Sequence, residues 1–200
     1  MTPKRARSAK RAKPAKRAKP SAKRKRAPAK GSRAKAKRRV AARRPARRGS
    51  PERDRILDQI RRAFEGEAWH GPSVLEALDG VTAQQAHVKP IPAAHSIWEL
   101  VHHITAWKDI VRRRLLGEYP EVTDEMNFPR VTDPSEAAWQ AALEGLRAVH
   151  VRLREVLAGI SDEQLDEKPS SKTSTRYIQL HGIIQHDLYH AGQISILKKA

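Results

Sequence analysis

Beyond residue 50, apolar residues recur at steps of three and four, the period of a helix buried along one side. Four long stretches show this pattern. The first carries Ile56, Ile60 and Phe64 and opens at Ser50-Pro51-Glu52, predicting Ser50 as N-cap with proline in the first helical position. It can resume after Gly71-Pro72 through Val74, Leu75 and Leu78. The second opens at Ser96-Ile97-Trp98-Glu99, a capping box, and runs through Ile97, Leu100, Val101, Ile104, Val111 and Leu115 to Gly117. A loop over 118–132 follows. The third begins at Asp133-Pro134-Ser135-Glu136 and carries Trp139, Leu143, Leu146, Val149, Leu153 and Leu157 to Gly159. The fourth spans roughly Thr175 to Lys198. Thr82-Ala83-Gln84-Gln85 and Ser161-Asp162-Glu163-Gln164 predict short capped turns. Long alternating strand patterns are missing. The expectation is an all-α four-helix bundle over residues 51–200, a fold that builds its sites from side chains on facing helices.

Charge divides the chain. The first 50 residues hold 23 of the 41 Lys and Arg and none of the 22 Asp and Glu. They have no aromatic side chain, and Ala-Lys-Arg-Ala-Lys-Pro occurs twice in tandem at 9–14 and 15–20. Such a segment cannot bury enough surface to offset its ordering entropy, so residues 1–50 are expected to be a disordered basic tail. In composition the tail resembles those of linker histones and bacterial histone-like proteins. Spaced cations on a flexible chain suit a phosphate backbone, and without aromatics to stack on bases the expected nucleic-acid binding is not sequence-specific. No apolar run approaches the roughly 18 residues of a membrane span, so no membrane partner is expected. The location read from this is cytoplasmic, with nucleoid association through the tail. The chain has no cysteine, which excludes disulfides, thiolate ligands and a cysteine nucleophile.

The candidate chemistry lies in the fourth helix. His186 and His190 stand four residues apart in the apolar run Ile183 to Leu197, on the face shared by Ile183, Ile194 and Leu197. That spacing puts two imidazoles one turn apart, as a chelating pair requires. Buried among isoleucines, their nitrogens need partners, and a metal ion is one. The second helix offers His102 and His103. At about 100° per residue, His103 lies about 100° from the centre of the apolar stripe, between Leu100, Trp107 and Ile110. His102 lies nearly opposite, which predicts a solvated surface residue. His103, His186 and His190 then form a three-nitrogen site with an open fourth position, the pattern of a catalytic metal. Asp187 is read as an outer neighbour of the site or a surface residue. Gln193 can orient a ligand histidine or pack. Tyr189 and Trp107 can line a pocket or pack. His95 precedes the cap of the second helix, and His87 and His150 have no partner at ligand spacing.

His95-Ser96-Ile97-Trp98-Glu99-Leu100-Val101-His102-His103-Ile104-Thr105-Ala106-Trp107 and His186-Asp187-Leu188-Tyr189-His190-Ala191-Gly192-Gln193-Ile194 resemble the two hallmark segments of the DinB superfamily, the DinB/YfiT-like metalloenzymes. Trp69-His70-Gly71-Pro72 resembles the start of that domain. The resemblance covers about 55–200. It implies a four-helix bundle with one ligand histidine from the second helix and an HxxxH pair from the fourth, which fall on His103, His186 and His190. It also implies use of a low-molecular-weight thiol by some members of the superfamily.

A divalent ion held by imidazoles suits zinc or nickel first, then copper or iron. It would activate an exogenous thiol or water for transfer to, or hydrolysis of, a small electrophilic substrate. No Ser-His-Asp arrangement, phosphate-binding glycine loop or dinucleotide fingerprint competes with it. The alternative expectation is a nucleoid-associated protein whose tail binds DNA and whose bundle is a non-catalytic stress or dimerisation module. A homodimer is compatible with both.

Overall fold

The structure is a computed structural model and describes residues 51–200; the expectations for residues 1–50, including Ser50 as a cap, lie outside the described residues. All regular structure among the described residues is helical: α1 Glu52–Glu65, α2 Val74–Leu78, α3 Ala83–His87, α4 Ile97–Leu115, α5 Asp124–Asn127, α6 Glu136–Ala158, α7 Asp162–Leu165 and α8 Arg176–Leu197. The long elements α1, α4, α6 and α8 pack against one another as a four-helix bundle.

Local chemistry sets most of the helix ends. Ser96 and Glu99 close a capping box at the start of α4: the Glu99 amide donates to Ser96 Oγ and the Ser96 amide to Glu99 Oε2. Gly117, at φ +88°, takes the left-handed conformation that ends the helix just past α4. Ser135 and Thr175 cap α6 and α8. Helix α2 is separate from α1, begun by its own capping box between Ser73 and Glu76. The start of α1 departs from expectation. Its cap residue is Pro51, and the first amides, of Glu52 and Arg53, donate to the Asp162 carboxylate at 2.9 and 3.0 Å. A carboxylate on α7 thus caps a helix about 110 residues away in sequence. The loop expected over 118–132 contains one helical turn, α5, capped by Thr123.

The apolar stripes fill two adjoining halves of one core. One half gathers Phe64, Trp98, Leu100, Ile104, Trp139, Leu146 and Ile194; the other gathers Ile56, Ile60, Val111, Leu153, Leu180 and Ile183. The buried Trp139 indole donates to the Val81 carbonyl at 2.9 Å, so its N–H is not orphaned. On α4, α6 and α8 the changeover between the halves falls at a polar residue: Lys108, His150 and Asp187, all buried. Lys108 Nζ donates to Asp187 Oδ2 at 2.5 Å, and both side chains are essentially inaccessible. His150 stacks on Phe64, its Nε2 lies 3.2 Å from Glu65 Oε1, and its Nδ1 lies 3.4 Å from Lys108 Nζ. Expected as a residue near the site or at the surface, Asp187 is half of a buried ion pair that joins α4 to α8.

Candidate metal centre

Helices α4 and α8 bring His103, His186 and His190 together as the helical phases require. His103 and His190 are 7 % and 6 % exposed, and His186 is half-buried. Their Nε2 atoms converge: His186 Nε2 lies 3.0 Å from His103 Nε2 and 3.2 Å from His190 Nε2. Neighbouring nitrogens on a four-coordinate zinc are about 3.3 Å apart, given bonds of about 2.0–2.1 Å. The spacing therefore fits one ion.

Hydrogen bonding behind the rings fixes where the protons sit. His103 Nδ1 donates to the Asn127 carbonyl at 2.8 Å, and a carbonyl can only accept. His190 Nδ1 donates to Gln193 Oε1 at 2.5 Å, and Gln193 Nε2 in turn donates to the Tyr189 hydroxyl at 3.3 Å. Both rings consequently carry their proton on Nδ1 and turn a bare Nε2 lone pair inward. A single proton on His186 Nε2 could serve one of the two well. A cation satisfies all three, and His186 Nδ1, buried without a partner, leaves that ring free to take either tautomer. The donor set fits a divalent metal ion.

Burial also keeps these groups neutral. It depresses the His103 and His190 pKa values below the ordinary 6.5. For His186, burial and then the neighbouring His190 and His103 depress it to about 3. Neutral imidazole is the ligand form.

Gln193 fixes the orientation of the His190 ring through the hydrogen bond at Nδ1. Trp107 is half-buried, donates from Nε1 to Asn127 Oδ1 at 2.9 Å, and places its ring 6.0 Å from that of His186. Tyr189 is 65 % exposed. His102 is not a solvated surface residue: its Nε2 accepts from the Trp98 indole at 3.1 Å and its Nδ1 donates to the Pro129 carbonyl at 3.2 Å. It ties the loop after α5 to α4, and it turns away from the other three histidines. His95, just before the cap of α4, stacks its ring on Phe128 at 3.7 Å, and Phe128 stacks on His103 at 4.1 Å, which holds the plane of the His103 ring. Beside the cluster, and sharing His95 and Gln193 with it, lies an apolar cavity of about 370 Å³ walled by Ile91, Ala94, Leu100 and Ile196.

Sequence reasoning missed Asn127, which supports the site twice, through its carbonyl and its side chain. No spacing rule marks it, because it belongs to a turn 24 residues from His103. No curated protein matches the chain. The sequence model of the DinB superfamily matches residues 68–194, more than half of the chain and both histidine segments, and the bundle carries the histidines as that family's hallmark segments imply: the chain belongs to the DinB superfamily.

Proposed function

We propose that residues 51–200 form a metal-dependent enzyme that brings an exogenous low-molecular-weight thiol, or water, to a small electrophilic substrate. The observation that carries this reading is the convergence of three Nε2 atoms, two of them with their protons held on the far side of the ring. His103, His186 and His190 would hold the ion, zinc or nickel first by donor type. When bound, it lowers the pKa of a thiol or water at the remaining position, so that the deprotonated form is available near neutral pH. Asn127 and Gln193 keep the rings in ligand orientation. Phe128 and Trp107 shield the cluster on α4's side. The apolar cavity beside Gln193 would take a hydrocarbon portion of the substrate. The chain has no cysteine, so a thiol nucleophile has to come from outside.

The test is to load the protein with zinc or nickel and follow consumption of a chromogenic aryl halide with and without glutathione or a related thiol. Thiol-dependent turnover that disappears in His103→Ala/His186→Ala is expected. Equal rates in that variant would refute the reading, and hydrolysis of an activated ester without thiol would select water.

A second reading concerns residues 1–50 and rests on their charge alone, 23 cations with no carboxylate. We propose that they bind nucleic acid without sequence preference and hold the protein at the nucleoid in the cytoplasm. Salt-sensitive retention on DNA that persists after their deletion would contradict it. No helix among the described residues is long and apolar enough to cross a membrane.

A further inference from the structure

Helix α4 carries a second chemistry-bearing side chain on the face that holds His103. His103, Trp107 and Arg114 stand at i, i+4 and i+11, within about 40° of one another around the helix axis. The Arg114 guanidinium lies 5.6 Å from the centre of the Trp107 ring and 5.5 Å from that of Tyr119. The Trp107 ring in turn lies 6.0 Å from His186 and 6.3 Å from His103. One indole therefore separates the guanidinium from the histidine cluster. From the loop before α8, Lys172 brings its ammonium to 5.4 Å from the same Tyr119 ring. Arg114, Tyr119, Lys172 and the segment Pro120-Glu121-Val122 line an open cleft of about 510 Å³.

The two cations share the Tyr119 ring and the cleft, and neither has a counter-charge there. The neighbours of Arg114 on α4 are paired, Arg112 with Asp109 and Arg113 with Glu118. Among the described residues Arg114 and Lys172 form no ion pair, and Arg114 Nε is buried with no acceptor. Glu121 lines the cleft but bridges neither. Aromatic contact engages the face of a guanidinium and leaves its edge, with the N–H fork, free for a planar anion. The Arg114 Nη donors have no acceptor among the described residues, and a two-pronged contact to a carboxylate or phosphate is the partner that suits them. A second cation on the same ring adds attraction of the same sign.

We propose that the cleft between Arg114 and Lys172 is a binding site for a small anionic group, a carboxylate or a phosphate. We further assign that group to the molecule whose reacting end reaches the three histidines past Trp107; this second step rests on the proposed function, whereas the anion site itself does not. The anionic end is then a selectivity element. A thiol or substrate that carries a carboxylate about one indole's breadth from its reacting atom is held better than its neutral analogue.

The experiment is a heteronuclear NMR titration of the full-length protein, as purified and after chelator treatment, at physiological salt. Succinate is the probe in one arm and inorganic phosphate in the other. Saturable shifts of the Trp107 indole and Tyr119 signals are expected with at least one anion, and the tighter of the two identifies the source. Arg114→Met keeps the packed stem and should weaken that binding at least tenfold. Arg112→Met, which removes a surface guanidinium already paired with Asp109, should leave it unchanged. Unperturbed signals elsewhere in the spectrum show that each variant is folded. Shifts confined to residues 1–50, no saturation with either anion, or equal affinity in Arg114→Met would overturn the proposal. Because the chelator-treated arm needs no ion at the histidines, this outcome is independent of whether they bind metal.

Discussion

Replacing His186 with alanine is expected to lower affinity for a divalent metal ion by about a hundredfold or more, because both close nitrogen contacts of the cluster run through its Nε2. His103 and His190 remain on facing helices without the ligand that stands between them. Gln193→Leu should cost less, about 10–100-fold, because it removes only the acceptor that holds the His190 ring in ligand orientation. His102→Ala should leave metal affinity alone. It instead frees the Trp98 indole and the Pro129 carbonyl, so its effect belongs to stability. Competition against a colorimetric chelator measures all three. A ranking in which His102→Ala matches His186→Ala would mean that the cluster is not the binding site.

Asp187→Ala is expected to be the most damaging single change to the fold. It leaves the Lys108 ammonium, which is fully buried, with no carboxylate. Stranding one member of a buried pair costs about 3–5 kcal/mol. For a domain of this size that lowers Tm by roughly 10 °C. Burial pushes the Asp187 carboxyl above its ordinary value while the Lys108 ammonium opposes that push, so the pair is held at a desolvation cost. Lys108→Met combined with Asp187→Leu should therefore recover most of the loss. If the double variant is as unstable as Asp187→Ala, the pair contributes more than mutual neutralisation. The same polar layer makes the fold acid-sensitive. Burial, and then the charges of Lys108 and Arg154, depress His150 from 6.5 to about 2. With that folded value below the unfolded one, the unfolded chain takes up the proton first. The contribution is complete above pH 6.5 and is lost progressively as pH falls toward 2. Thermal melts across that range should show Tm falling with pH, and the slope should shrink in His150→Phe.

Much of this was legible in the sequence where the governing interaction is local. The capping boxes at Ser96 and Thr82 and the stop at Gly117 are set within one turn of chain, so residue order carries them. The choice of His103 over His102 also came from one helix, since phase alone decides which imidazole faces α8. What the sequence did not carry depends on chain segments far apart. Asp162 caps α1 from across the fold, Asn127 reaches His103 from an irregular turn, and Lys108 meets Asp187 between two helices. A lysine in an apolar stripe reads as a surface residue until its partner's position is known. His102 was misread for a related reason. Phase placed it outside the bundle, but the loop at Pro129 folds over that face and supplies an acceptor.

Three imidazoles from α4 and α8 are proposed to hold one divalent ion. Metal analysis of the purified full-length protein, loaded with zinc or nickel and then dialysed, tests it most directly against His103→Ala/His186→Ala treated in parallel. One ion per chain in the wild type and none retained in the variant is the predicted result. Equal metal content in the two proteins would mean that these histidines do not hold the ion.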